Sequence, residues 1–498
     1  MDESFVFLIF GATGDLSQRK LIPAIYNLYR KNMLPMPFNL LAIGRRDIED
    51  KDFRNQVKTS LLSKDYDEKT IDEFILRIDY FKMDLVHCIN YDDLKQFLKV
   101  KYDTSNYLYY FAISPELYCS TAKRLNASDL NDEEDGFKRV IIEKPFGHDL
   151  ESAIELNKNL HKYFNEKQLF RIDHYLGKET VQNILVARFA NGIFEPLWNR
   201  NYIEYVEITS AESLSVGTRA GYYDKAGALR DMVQNHLLQV LALISMEPPI
   251  NTSSKALRDE MVKVFQSLRP IKKEDVPKLV VRGQYVNSIY EGKEVLGYRE
   301  EKNIPKDSKT ETYVALKCYI DNWRWSNVPF YIKTGKALAT SVTEVVIHYK
   351  VNPHSIFRNN EEISSEHNQL VIRIQPDAGF LMTFQMKVPG AGFKVQPVKM
   401  DFHYSSLQET DIPEAYERLI YDCLIDDPTL YQRSDAIELT WNFVQPILDA
   451  WKEDESIALY GYPARSWGPR YIENLLAEEN HPWRFPCKDL SDGRYCEL

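Results

Sequence analysis

The stretch FVFLIFGATGDL, residues 5–16, decides the fold class. Its first half is a continuous apolar run, short and closed by glycine, as expected of a strand buried on both faces of a parallel sheet. GATG follows at 11–14, then a helical pattern through Leu21, Ile22, Ile25, Leu28 and Tyr29. A strand, a G-x-x-G turn and a helix in that order form a phosphate-binding corner. Glycine lets the backbone approach a pyrophosphate, and the helix N-terminus offers unpaired N–H groups at the positive end of its dipole. Leu16 stands where the usual fingerprint has a third glycine, so the motif by itself also suits a structural turn. Its place directly after a buried strand favours a dinucleotide.

Outward from this corner, 40–43, 106–113 and 139–142 are further strand candidates, with helical patterns at 52–62, 71–78 and 91–100. Strands alternating with helices predict an α/β, Rossmann-like, doubly wound parallel sheet. The second strand ends in Arg45-Arg46, with Asp47 only afterwards. An acidic residue at that end would hold the ribose 2′-hydroxyl of NAD, whereas arginine accommodates the 2′-phosphate of NADP. NADP is the preferred coenzyme on this reading, with NAD as a secondary one. After about residue 170 the texture changes. Strand patterns at 203–209, 280–285, 312–320, 345–351, 369–375 and 380–386 are joined in several places by short polar stretches, with helices at 229–246, 415–423 and 434–453. The expected organisation is a Rossmann-like domain at 1–172 and a larger α+β domain at 173–498 with a mainly antiparallel sheet.

A length of 498 residues, 44% hydrophobic and 27% charged, suits a soluble enzyme of two or three domains. The formal net charge of −11 argues against nucleic acid or an anionic membrane as partner. Phosphate ligands would have to be held by local positive charge against that field. The six cysteines are scattered without C-x-x-C spacing, which predicts free thiols, no metal site and a reducing, cytoplasmic compartment. No apolar stretch approaches membrane-spanning length, and the first residues lack a basic, signal-like pattern.

Two segments carry chemistry. RIDHYLGKE at 171–179 packs an acid, an imidazole, a phenol and an ammonium together. If a helix begins at Asp173, His174 and Lys178 are i, i+4 neighbours that could converge on a phosphate with Tyr175. The same residues also suit a solvated, charged helix start. ALRDMVQNH at 228–236 opens a helix that becomes strongly apolar. His236 there is either a packed core histidine or a base for alcohol oxidation, which needs a carboxylate to fix the imidazole tautomer. Spacing does not say which carboxylate pairs with it. GATG also begins short-chain dehydrogenases, whose catalytic pair is Tyr-x-x-x-Lys. That spacing recurs at Tyr91/Lys95, Tyr163/Lys167, Tyr298/Lys302 and Tyr313/Lys317, so it discriminates little, and the second domain is larger than that class needs.

GATGDL (11–16), EKPFG (143–147), RIDHYLGKE (171–179), RDMVQNHLLQ (230–239) and VPFYIKTGKAL (328–338) resemble, in order and spacing, the glucose-6-phosphate dehydrogenases. GYREEKNIPKDSKTETYVAL (297–316), WRW (323–325) and RIQPD (373–377) resemble the bacterial and lower-eukaryotic members. The resemblance covers essentially the whole chain. It implies oxidation of glucose 6-phosphate at C1, with His236 as general base and Asp173 as its orienting carboxylate. His174, Tyr175 and Lys178 would hold the 6-phosphate. Lys144, Glu212, Asp231, Lys336 and Gln396 would hold sugar hydroxyls or phosphate. Gly11, Gly14, Asp15, Leu16 and Lys20 would serve the coenzyme, with Lys144 also beside it, Arg45 on the 2′-phosphate and Tyr118 near the nucleotide. A homodimer or homotetramer formed through the large sheet is a further implication. Two departures stand out: Gln18 where the family often has lysine, and uncharged Ala337, Thr340 and Ser341 where many members carry basic residues.

Overall fold

β1, Phe5–Phe10, is sealed on both faces, with no side chain more than 1% exposed. A computed structural model describes it together with the rest of residues 4–64, 66–87, 90–354, 368–390, 392–407, 414–477 and 481–485. The chain divides into two compact units. One comprises Met1–Lys178, Ile250–Arg258 and Ile412–Glu438, and the other Glu179–Pro249, Asp259–Asp411 and Leu439–Leu498.

In the first unit, β1 is joined by β2 (Phe38–Gly44), β3 (Ile78–Lys82), β4 (Tyr107–Phe111), β5 (Lys138–Ile142) and β6 (Leu169–Ile172). The order β6-β5-β4-β1-β2-β3 is all parallel. The chain therefore reverses its winding between β1 and β4, and in such sheets ligands bind at the carboxyl ends of the strands flanking that point. The two-residue strand Tyr431–Gln432 pairs antiparallel with β6 and caps its edge. This is one reason why 412–438 folds with the first unit rather than with the second domain, where the sequence had suggested it. Asn27 and Lys31 add polar contacts, donating to the buried Glu417 at 2.7 and 2.9 Å. The helix expected at 71–78 is instead a helix at Glu68–Ile75 followed by β3. β3 escaped notice because it carries Asp79, whose charge is met inside by Arg54 at 2.9 Å and the Tyr102 hydroxyl at 2.7 Å.

The second unit is built on β7 (Ile203–Ala211), β8 (Val280–Val286), a small hairpin of β9 (Ser288–Tyr290) and β10 (Lys293–Val295), β11 (Tyr313–Cys318), β12 (Phe330–Gly335), β13 (Val342–Tyr349), β14 (Gln369–Gln375), β15 (Gly379–Lys387) and β16 (Val395–His403). Nine strands, including Leu459–Pro463 at one edge, form one sheet in the order β16-β15-β14-β13-β7-β12-β11-β8-(459–463). It is mainly antiparallel, as expected. The exceptions are the parallel pairs β7/β12 and β8/459–463. β12 and β16 were not anticipated as strands. Lys333 interrupts the apolar run of β12, and β16 is polar, contains Pro397 and is largely exposed.

Candidate active site

The nucleotide corner lies at the carboxyl end of β1. Gly11 has φ +89, and a Cβ there would lie 2.3 Å from the Ala112 carbonyl oxygen beyond β4, so only glycine fits. Gly11 and Ala12 donate to the Ile43 carbonyl at 2.9 and 3.0 Å, and Gly14 donates to the Gly11 carbonyl at 2.9 Å. Among the described residues no acceptor takes the N–H groups of Thr13, Asp15 and Leu16, which fits a turn built to receive an anion. Gln18, where the family often has lysine, folds back to donate to the Ala12 carbonyl at 2.8 Å. Arg45 and Arg46 stand exposed just beyond β2, while the nearby Asp47 is paired with Lys82 at 2.9 Å. Lys20 is exposed and 3.4 Å from Glu414. Tyr118 is fully buried, and its hydroxyl donates to the Glu143 carbonyl at 2.9 Å. It thereby braces the end of β5 in front of Lys144, whose peptide bond to Pro145 is cis.

The segment 173–178 is one turn rather than the start of a helix. Gly177 donates to the Asp173 carbonyl at 3.2 Å and Lys178 to that of Tyr175 at 3.1 Å, and the helix begins only at Glu179. The i, i+4 helical face expected for His174 and Lys178 is thus not formed. Asp173 is fully buried, with Oδ1 accepting the Tyr175 N–H at 2.8 Å and Oδ2 accepting the Gln432 amide at 3.1 Å. The Lys178 ammonium lies 4.1 Å from the centre of the Tyr175 ring, a cation–π contact that steadies it. His174 Nε2 is 3.4 Å from a Glu143 carboxylate oxygen and 3.3 Å from the Tyr416 hydroxyl. Burial pushes the Glu143 carboxyl up, but His174, Tyr110 and Tyr416 outweigh it and hold the group below the usual carboxylate range. Sequence reasoning missed Glu143, Tyr416 and Gln432 as supports of this turn. Glu143 was quoted only as part of a motif, and the other two lie about 240 residues or more away from their partners.

In the second unit, Glu212 and Lys336 follow directly on β7 and β12. Those strands run parallel with Ala211 beside Gly335, so the two side chains meet as a carboxylate–ammonium pair. The Lys336 ammonium also lies 5.5 Å from the ring centre of Tyr223. Asp231 and His236 ride on the π-helix Leu229–Leu237, which leads into the α-helix Leu238–Ser245. In an α-helix residues five apart point well away from each other, whereas a π turn closes at five. The local winding therefore brings Asp231 and His236 closer to one face than their spacing suggests. His236 is 3% exposed.

The start of that helix is held by the buried Glu311. Its carboxylate accepts the Leu229 N–H at 3.0 Å and its backbone carbonyl accepts that of Ala228 at 3.0 Å. Gly227, at φ +71, leaves the space this carboxylate fills, since a Cβ would come within 2.3 Å of it. Burial raises the Glu311 carboxyl above its ordinary range. Burial, then Asp231 and Glu311, drive the Tyr223 phenol far above its own.

Gln396 does not join this group. Gly335 pairs with Tyr313, Ala211 with Val342, Thr343 with Gln375, Arg373 with Gly379 and Gly379 with His403, which marks one end of the sheet. Gln396 pairs with Met386, seven residues along β16 from His403, about 23 Å at the usual rise per residue. A glutamine that does lie at the end bearing Glu212 and Lys336 is Gln375. The two were indistinguishable in sequence, because only strand register tells which end of a sheet a residue occupies. Two of the uncharged positions after Lys336 have structural roles: Ala337 is buried at φ 49, and the Ser341 hydroxyl accepts the Ser213 N–H at 2.9 Å. Of the Tyr163/Lys167 spacing, Lys167 is exposed and paired with Glu133 at 2.7 Å.

Comparison with known proteins gives the family. The family model described as "Glucose-6-phosphate dehydrogenase, NAD binding domain" matches residues 8–183, and the corresponding C-terminal domain model matches 185–484. The chain belongs to the glucose-6-phosphate dehydrogenase family. The glucose-6-phosphate 1-dehydrogenase of Treponema pallidum is 48% identical over 99% of this chain and 98% of that relative. The Bacillus subtilis enzyme is 44% identical over 96% of this chain and 98% of its own length. A solved glucose-6-phosphate dehydrogenase in complex with its substrate glucose-6-phosphate superposes with a TM-score of 0.88 at 34% identity, covering 97% of this chain and 99% of that one. The Mycobacterium avium structure gives 0.84 at 36% identity, covering 98% and 99%.

Proposed function

We propose that this chain oxidises D-glucose 6-phosphate at C1 to 6-phospho-D-glucono-1,5-lactone, the first step of the oxidative pentose phosphate pathway, with NADP+ as coenzyme. The observation that carries the substrate half is the placing of Glu212, Lys336 and the helix bearing Asp231 and His236 within one unit. Together they offer acceptors for sugar hydroxyls, a cation and a base. His236 removes the C1 hydroxyl proton, and the family pattern gives Asp173 the role of fixing its tautomer. Lys178, Tyr175 and His174 hold the 6-phosphate. Lys144, Glu212, Asp231 and Lys336 hold sugar hydroxyls or phosphate, with Gln375 in the place first assigned to Gln396. The coenzyme, when bound, supplies the hydride acceptor. Gly11 and Gly14 admit its pyrophosphate, the N–H groups of Asp15 and Leu16 meet it, and Lys20 adds positive charge.

Arg45 supports NADP over NAD, because it stands exposed beyond β2 while Asp47, two residues on, is tied to Lys82. The wider reading includes a homodimer or homotetramer, for which β15 and β16 expose Met386, Met400 and Phe402, and a cytoplasmic location, which suits the free thiols of Cys119, Cys318 and Cys423. Among the described residues no helix is long and apolar enough to cross a membrane. The test is the appearance of reduced-coenzyme absorbance with glucose 6-phosphate and NADP+ or NAD+ in turn. No reduction with either coenzyme would reject the activity, and a preference for NAD+ would reject the coenzyme assignment.

A further inference from the structure

Arg465 occupies left-handed backbone, φ 72, a conformation that side chains other than glycine rarely adopt. Its N–H donates to the carbonyl of Ala337, itself left-handed, at 2.6 Å. Ala339 donates to the Ser466 carbonyl at 3.0 Å, so 465–466 is laced onto the residues directly after Lys336. The guanidinium Nη1 donates to the carbonyl of Ser213, the residue after Glu212. Ser213 in turn donates its N–H to the Ser341 hydroxyl at 2.9 Å. The charge is thus delivered beside Ser341, one of the positions that carry none of their own.

Two further features point to a ligand. Among the described residues the Arg465 guanidinium has one hydrogen-bond acceptor, the Ser213 carbonyl, which leaves its other donors for a ligand. Among them, too, no carboxylate pairs with this guanidinium, although Asp and Glu outnumber Lys and Arg by 73 to 62 in the chain. A guanidinium has several donors in a fixed fork suited to phosphate. Backbone strain kept at such a place is typical of residues that touch ligands.

We infer that Arg465 is an anion-binding residue of the substrate site, one that takes the phosphate of the sugar phosphate and supplies charge absent at 337, 340 and 341. The inference rests on the reading that Glu212 and Lys336 hold that substrate. It is tested with Arg465→Gly and Arg465→Gln, glycine being the residue best suited to φ 72. Losing one charge-assisted hydrogen bond is expected to raise KM for glucose 6-phosphate about tenfold or more. The ratio of kcat/KM for glucose 6-phosphate to that for unphosphorylated glucose should fall by a similar factor, and competitive inhibition by inorganic phosphate should weaken.

An unchanged ratio in the glycine variant would overturn the inference, as would a rise confined to the KM for NADP+, which would place the coenzyme's phosphate there instead. Lys336→Ala separates this failure from failure of the parent reading. If Lys336→Ala leaves KM for glucose 6-phosphate unaltered, the substrate does not bind at this end of the sheet and the inference falls with it. If Lys336→Ala raises KM and Arg465→Gly does not, the role of Arg465 alone is wrong.

Discussion

His236 is the residue on which the proposed chemistry turns, and its surroundings make the claim testable. It is almost fully buried, on a π-turn with Asp231, so replacing it by the similarly shaped asparagine removes the base with little change in packing. His236→Asn is expected to lower kcat by at least ~100-fold with KM for glucose 6-phosphate little changed; near-normal turnover would show that the proton leaves by another route. Arg45→Ala should lower the ratio of kcat/KM for NADP+ to that for NAD+, and an unchanged ratio would remove Arg45 from 2′-phosphate recognition. The residue types proposed for both sites were read from the sequence because proton transfer and phosphate recognition need particular functional groups. The supports were not. Nothing local to RIDHYLGKE shows that Asp173 is braced by Gln432 or that His174 meets Glu143 and Tyr416.

At the scale of elements, β1 shows how far pattern alone reaches. Six consecutive apolar residues closed by glycine suit a strand covered on both sides, and so it is. Leu8→Ala should destabilise the first unit by about 2–5 kcal/mol, the usual cost of an unfilled core cavity, measured by the denaturant midpoint at constant m-value. A loss below about 1 kcal/mol would mean that the sheet closes around the gap. The helix Leu229–Leu237 shows the opposite case, because its N-terminus is held by Glu311, over eighty residues later. Glu311→Ala leaves the Leu229 N–H without this acceptor and should lower both stability, by about 1–3 kcal/mol, and kcat. Glu311→Gln keeps an acceptor oxygen and should recover most of both. Equal behaviour of the two variants would show that the hydrogen bond does not set the helix. β3, β12 and β16 were missed for one physical reason: each carries charged or polar residues whose partners or exposure are decided by neighbouring strands.

At the scale of the whole molecule, distant segments converge in ways no window of sequence contains. Lys333 is buried on β12, its ammonium 4.3 Å from the Trp483 ring centre and 5.5 Å from that of Trp467. Glu207 and Glu344 stand near it, and the Arg484 backbone and side chain bond to those two carboxylates at 3.2 Å each. Burial lowers the Lys333 ammonium from 10.5 to about 8, against the pull of the two carboxylates. Between those values the unfolded chain holds a proton that the folded one has released, so this group makes stability rise with pH from about 8 to 10.5. The stability of the wild type relative to Lys333→Met should accordingly climb across that window, by an amount on the order of 3 kcal/mol in total. A flat or falling difference would show that Lys333 is not held with a lowered proton affinity. By itself, the sequence determined the parallel nucleotide-binding fold, the mainly antiparallel second sheet and the reactive residue types, because apolar periodicity and functional groups are local properties. Only the tertiary structure decided that 412–438 packs with the first unit, that Gln375 and not Gln396 shares an end of the sheet with Lys336, and that Arg465 reaches Ser213. Register, strand order and the pairing of buried charges depend on which distant segments meet, and that is settled by packing rather than by neighbours in the chain.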